Sequence, residues 1–388
     1  MSFNRPRIVG AISLAHIIND FYMNYIQTLL PFLIIAGLGM SRGAFLITAF
    51  TVTSSLSQPV FGYLVDRRSK VWLVYMGTLW MACLLPLIGF VQYYPLLLML
   101  VILAGLGTAA FHPQASSMMG AISSKSRGAY QALFIAMGNI GWALTPLIVV
   151  PFITRFGIDR SYIFFFPGCL AAFLLWLNVP KIQPGDGPAD ELAGSLKAMI
   201  LRAGPELSKV LAVVSLRSVT QLSLVAFLPL YLVHLQVPLL VSSRLVSLML
   251  IFGALGGIFG GYLSDVLGRK PMVIGSLFLS TPLLFCAVNT RGGIQALFLA
   301  LAGTCLIASF SVTVVIAQEI MIDGSALASG LILGFGMGLG GLGVSIMALI
   351  AEFWGIYLAM NILISIPLLA GLIALLFKTR YTSAQASM

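Results

Sequence analysis

The sequence predicts an all-α polytopic membrane protein, with twelve transmembrane helices arranged as two pseudo-symmetric six-helix bundles. Three observations predict it. Hydrophobic types make up 60% of the 388 residues and charged types only 8%, whereas a soluble domain carries about a quarter charged residues. Apolar runs of about 20 residues or more, each long enough to cross about 30 Å of hydrocarbon, recur along the whole chain. Landmarks of the first half also return in the second half at a nearly constant offset. A β-barrel needs short alternating strands, and the sequence has none.

The apolar runs lie near 8–38, 43–65, 71–91, 95–119, 128–154, 161–179, 208–234, 242–264, 271–289, 293–317, 326–351 and 355–377. Arg5 and Arg7 precede the first run, which exceeds a signal-peptide core and reads as an uncleaved first span. The net charge of +10 does not mark a nucleic-acid binder, because the basic residues sit in short loops between apolar runs. Of the 21 Lys and Arg, fifteen fall on the side of the two termini. Five (Arg42, Arg155, Arg160, Arg244 and Arg291) fall on the other side, and Arg217 lies inside a span. The positive-inside rule then places both termini in the cytoplasm of a cell-membrane protein. Cys83, Cys169, Cys286 and Cys305 lie in apolar runs without a CxxC pattern and read as packing residues. The three histidines are far apart in sequence, so neither a metal nor any other cofactor is expected.

Residues 180–206 are rich in Pro, Gly and charge and divide six spans from six. The expected organisation is a first bundle over 1–180, a cytoplasmic linker over 181–206 with a short surface helix near 190–203, and a second bundle over 207–388. The halves repeat. GYLVDRRSK (Gly62–Lys70) returns as GYLSDVLGRK (Gly261–Lys270), with Asp66 and Asp265 199 positions apart. LAG at 103–105 returns at 301–303, and FGI at 156–158 returns as WGI at 354–356. Six spans repeated in one orientation indicate two transporter halves about an axis along the membrane normal.

GYLSDVLGRK resembles the signature loop between the second and third helices of each half in the major facilitator superfamily. The first copy is one residue shorter and lacks the glycine before Ser69-Lys70, so its turn must differ. The resemblance implies the major facilitator fold and a latch role for these loops, carried by Gly62, Asp66, Arg67, Gly261, Asp265 and Arg269. Physically, Gly62 and Gly261 allow close helix contact. Asp66 and Asp265 suit a neighbouring helix N-terminus.

The first span carries SLAHIINDFY at 13–22. At about 100° per residue, Ser13, His16, Asp20, Asn24 and Gln27 share one helix face, with Asn19 beside it. In lipid that face must turn toward protein or water. Span 7 is the repeat counterpart of span 1, and there Arg217, Thr220 and Gln221 share a face. An Asp and an Arg at similar depth on related helices suggest a shared cavity, or an ion pair holding the halves together. Span 4 carries Thr108, His112 and Ser116 at intervals of four, with Pro113 able to kink it. In span 5, Gly138 and Gly141 read as close-packing residues, while Asn139, Trp142 and Thr145 can reach a cavity.

Together, AHIINDFY, AAFHPQAS, GNIGWALTP and LRSV resemble the fosmidomycin-resistance-type branch of that superfamily. The resemblance implies proton-coupled export of small molecules by a working monomer, with a phosphonate antibiotic as the type substrate. Relatives commonly carry a glutamate after the His-Pro pair where this chain has Gln114, which leaves Asp20 as the proton carrier. The residues agree with that direction. Arg217 offers a permanent cation with a planar fork for phosphonate, phosphate or carboxylate. His16 and His112 add proton-dependent charge. An anionic substrate that takes Arg217 from Asp20 leaves Asp20 free to accept a proton. The partners expected are thus a small molecule (with Arg217, Asn24, Asn139, Trp142 and Gln221 as binding residues), protons (with Asp20, His16 and His112), and membrane lipid.

The GxGxxG at Gly336, Gly338 and Gly341 has no preceding strand and reads as helix packing rather than nucleotide binding. Glu319, at the cytoplasmic end of span 10, reads as a solvated flank. An importer fits the same pattern, with opposite coupling. A receptor or enzyme would need a soluble domain or a catalytic motif, and the longest internal loop has about 27 residues.

Overall fold

The computed structural model describes residues 5–67, 71–121, 127–179, 192–321 and 325–378. Among them, all regular structure is helical. The helices are α1 (Arg5–Met23), α2 (Tyr25–Ile35), α3 (Met40–Arg67), α4 (Trp72–Leu84), α5 (Tyr94–Ala121), α6 (Arg127–Phe156) and α7 (Phe165–Asn178). They continue with α8 (Leu192–His234), α9 (Leu239–Leu267), α10 (Arg269–Asn289), α11 (Gly292–Ile320), α12 (Ser325–Trp354) and α13 (Ile356–Ala374). Two 3₁₀ segments, Leu85–Gly89 and Ile158–Phe164, extend α4 and lead into α7.

Each expected span has its helix, with two departures. The first span is not one helix but two, α1 and α2, broken at Asn24. Its polar residues and that break keep it out of the ten described stretches that are long and apolar enough to cross a membrane. The hydroxyl-rich run TVTSSLSQ does the same for α3. The second departure is in the linker. The expected helix near 190–203 is not separate; α8 runs unbroken from Leu192 to His234, with Pro205 inside it. Strong helix formers in SLKAMILRA account for the continuity. Residues 180–191 lie outside the described residues.

The chain divides into two compact units. The first comprises Met1–Asp186 and Leu232–Ser247, the second Gly187–Tyr231 and Leu248–Met388. In the first, α1 packs on α6 and α7, while α4 contacts α5 and α7. In the second, α10 contacts α11 and α13 in the same pattern.

The repeated landmarks have physical causes. A Cβ at Gly105 would meet the Phe50 carbonyl oxygen at 2.9 Å, and one at Gly303 would collide with the Met249 carbonyl oxygen. The glycine of each LAG therefore lets α5 approach α3, and α11 approach α9. The glycine of FGI and WGI turns the chain into the last span of each half: Gly157 has φ +87° and Gly355 has φ +90°, a conformation only glycine adopts freely. Gly268 (φ +92°) makes the turn of the second signature loop. The four cysteines are free thiols. In α12 the packing ridge is Gly336, Gly340 and Gly343, which face Val214, Ser218 and Val219 of α8. Of the GxGxxG glycines, Gly336 lies on this ridge.

Candidate functional site

The polar face of the first span turns inward. His16, Asp20, Asn24 and Gln27 are all buried. Asp20 is gripped from two sides. His112 Nε2 lies 3.0 Å from Asp20 Oδ1, and His16 Nε2 lies 3.5 Å from Asp20 Oδ2. Each histidine is oriented by its other nitrogen. His16 Nδ1 is 2.7 Å from the Phe134 carbonyl oxygen, and His112 Nδ1 is 3.1 Å from the Thr108 carbonyl oxygen. A carbonyl only accepts, so both Nδ1 atoms carry hydrogen and both Nε2 atoms face the carboxyl group. A neutral imidazole of that tautomer has only a lone pair at Nε2. The 3.0 Å contact of His112 with Asp20 is therefore a hydrogen bond only if a proton sits between them.

Aromatic rings close the cluster. The Phe134 ring stacks on His16 with centroids 3.7 Å apart, and Phe111 stands 5.4 Å from His112. Gly138 forms the remaining wall: a Cβ there would lie 2.8 Å from His16 Nε2 and would collide with Asp20 Oδ2. The donor atoms of His16, Asp20 and His112 come within 4.8 Å of one another, close enough to share protons and in principle to hold a metal ion.

One face of α6 builds this site. Phe134 and Gly138 hold the cluster. Gly141 brings α6 against the Ile17 backbone of α1. Thr145 donates to the Phe21 carbonyl at 3.0 Å. Trp142 is buried, and its carbonyl accepts from Asn24 Nδ2 at 2.8 Å. Pro146 lies inside α6 and has no N–H to give that carbonyl, so Asn24 supplies the missing donor. Asn139 is half-buried beside Gly138. Gln114 is buried, with its Oε1 unpartnered among the described residues. Sequence reasoning identified the titratable triad but not Phe134, Phe111 or the role of Gly138. A phenylalanine in an apolar run carries no mark of the carbonyl or ring face it will present.

Arg217 belongs to the second unit, where α8 carries it. It is 1% exposed. Nη1 donates to Gln221 Oε1 at 2.6 Å and Nη2 to Ser218 Oγ at 2.9 Å. Its Cζ lies 4.1 Å from the centroid of Phe310 on α11. Among the described residues no carboxylate pairs with it.

The family model of the Major Facilitator Superfamily matches residues 12–331. The chain belongs to the Major Facilitator Superfamily. It is 28% identical over 386 residues to the fosmidomycin resistance protein of Escherichia coli K12, covering 96% of this chain and 93% of that one. It is likewise 28% identical over 383 residues to the MFS-type transporter YfnC of Bacillus subtilis, with the same coverages. Among solved structures, it resembles a bacterial homolog of the human lysosomal transporter Spinster in an inward-facing, unoccupied conformation. The TM-score is 0.82 at 15% identity, over 97% of each chain. It also resembles the nucleoside transporter NupG (D323A mutant), with TM-score 0.78 at 14% identity, over 95% of this chain and 99% of that one. This chain is accordingly a membrane transporter and not an enzyme.

The superfamily's signature loop is described in its second copy. Asp265, in the last turn of α9, accepts from Arg269 Nη1 at the start of α10. Arg269 also donates from Nη1 to Ser264 Oγ at 2.6 Å and from Nε to Glu319 Oε1 at 3.3 Å. Glu319 is thus not the solvated flank expected from its terminal position. It ties the end of α11 to the loop. Gly261 is not the close-packing glycine expected: a Cβ there would meet only Ser311 Oγ, at 4.0 Å, and it is Gly256 and Gly260 that bring α9 against the α11 backbone at Thr304 and Ala308. Gly62, Asp66 and Arg67 end α3, and their side chains lie outside the described residues.

Proposed function

We propose that this transporter exports a small anionic or amphiphilic compound, such as a phosphonate antibiotic, in exchange for protons by alternating access. The observation that carries the reading is the His16–Asp20–His112 cluster. It encloses a carboxyl group at membrane depth, where ionisable groups are costly and usually functional. Its geometry supports a shared proton, since both histidines are oriented by backbone carbonyls with Nε2 toward Asp20. With both histidines neutral, a deprotonated Asp20 leaves the cluster negative, and a proton taken up between Asp20 and His112 neutralises it. This difference lets a proton gradient bias a two-state protein. Arg217 supplies the anion site in the second unit, with Gln221 beside it.

The name of the Escherichia coli relative, a fosmidomycin resistance protein, supports this substrate class. In this reading the bundles over 1–180 and 207–388 move about the 181–206 linker, both termini face the cytoplasm, the protein works as a monomer in the cell membrane, and the signature loops latch one access state. The test is proton flux into or out of proteoliposomes, followed with an internal pH dye, when fosmidomycin is added under a set pH gradient. Wild type should show a substrate-dependent flux that Asp20→Asn abolishes. Full-rate, proton-driven transport by Asp20→Asn would reject the assignment. A response to neutral or cationic compounds alone would reject the substrate class.

A further inference from the structure

The surroundings of Arg217 say more about the substrate than the charge does. A guanidinium only donates, so Gln221 must present Oε1 to it, and the Gln221 amide nitrogen is left as a donor. Ser218 Oγ accepts from Arg217 Nη2, while its own hydrogen goes to Met337 Sδ on α12, 3.9 Å away. Both side-chain oxygens beside the guanidinium thereby accept from Arg217. What remains unpartnered is a donor: Arg217 Nε, buried and without a hydrogen-bond partner among the described residues. Phe310 covers one face of the guanidinium, and the unpartnered Nε–H lies in the guanidinium plane, along its edge.

We infer that this cluster is an oxyanion site in which Phe310 is the positioning residue. Phe310 holds the guanidinium flat, so that the Nε edge engages two oxygens of one carboxylate or phosphonate group. The inference rests on the reading of Arg217 as the substrate's anion site and deepens it. A cationic ligand would meet the buried Arg217 guanidinium as like charge to like charge, and a neutral one leaves that charge uncompensated. Edge-on, bidentate recognition also needs a planar fork, which lysine lacks. Removing the ring removes a cation–π contact and the surface that fixes the fork.

The experiment is equilibrium binding to the full-length protein in detergent. Three probes of one carbon skeleton are compared: a phosphonate, the matching carboxylate and the matching uncharged amide. Thermal unfolding of every variant serves as the check on folding. Wild type should bind one or both oxyanions at least about tenfold more tightly than the amide, and the stronger of the two identifies the class. Phe310→Leu should weaken oxyanion binding by about tenfold, with Phe310→Tyr restoring it. Arg217→Lys should lose binding despite keeping the charge. If wild type does not prefer either oxyanion to the amide, the oxyanion site is overturned. If Arg217→Ala binds the oxyanions like wild type, the anion reading itself fails. If Arg217→Ala loses binding but Phe310→Leu or Arg217→Lys does not, the anion reading stands and the edge-on geometry is overturned.

Discussion

Gly138 shows how one missing methyl group shapes the His16–Asp20–His112 cluster. Its absent side chain leaves the space that His16 and Asp20 occupy. His16 is held by the ring and the carbonyl of Phe134, and Asp20 Oδ1 by His112. Gly138→Ala should therefore destabilise the protein by about 1–3 kcal/mol, as overpacking does, and should uncouple transport. Gly275 is the control: a Cβ there meets nothing within 4 Å, and Gly275→Ala within α10 should be neutral or slightly stabilising. Thermal unfolding and the proton-flux assay check both. An unchanged melting point and intact coupling in Gly138→Ala would mean that the site is looser than its geometry indicates. At this scale the titratable residues were legible in the sequence, because a histidine and an aspartate stand out in an apolar run. Phe134 and Phe310 were not, because their roles come from a ring face and a carbonyl positioned only by tertiary packing.

The break between α1 and α2 belongs to the scale of elements. Each of two helices lacks something the other supplies. Pro146 frees the Trp142 carbonyl of α6, and Asn24 at the α1–α2 junction donates to it. Leaving a buried carbonyl unpaired costs about 1–3 kcal/mol, so Asn24→Leu should destabilise by that amount. Asn24→Asp should not rescue it, since an ionised carboxylate has no proton to give. Pro146→Ala restores a helical N–H for the same carbonyl. The double variant Asn24→Leu/Pro146→Ala should then lose less stability than the two single changes together, and a double-mutant cycle by thermal unfolding reads the difference. Strict additivity would show that the two residues do not serve one carbonyl. The helices themselves were legible from apolar run length. The break was not, because local hydropathy does not register which carbonyl a proline elsewhere has left open. Similarly, Glu319 looked solvated because its neighbours in sequence are terminal, whereas its partner Arg269 comes from the turn 50 residues away.

For the whole molecule the repeat carries the most information, and its glycines show why it was readable. Gly105 and Gly303 mark equivalent helix crossings, and Gly157 and Gly355 mark equivalent turns. Backbone demands therefore maintain the same letters in both halves. The signature loop departs from this equivalence, since only the second copy has a glycine, Gly268, at its turn. In that copy Arg269 joins the ends of α9 and α11 through Asp265 and Glu319. The Asp265 side chain is 63% exposed, so this network contributes little to stability; an exposed pair is typically worth about 0–1 kcal/mol. It suffices for a latch, because about 1 kcal/mol shifts a near-balanced pair of access states by about fivefold. Glu319→Gln and Asp265→Asn should thus leave the melting point nearly unchanged and yet redistribute the access states, as measured by spin-label distances across each end of the transporter. Asp66→Asn tests whether the shorter first loop does the same work. A shift of the same sign would assign the latch to both halves, and a shift in the second-half variants alone would confine it to the loop with the glycine turn. If none of the three changes the distance distribution, the loop network is a structural tie and not a latch.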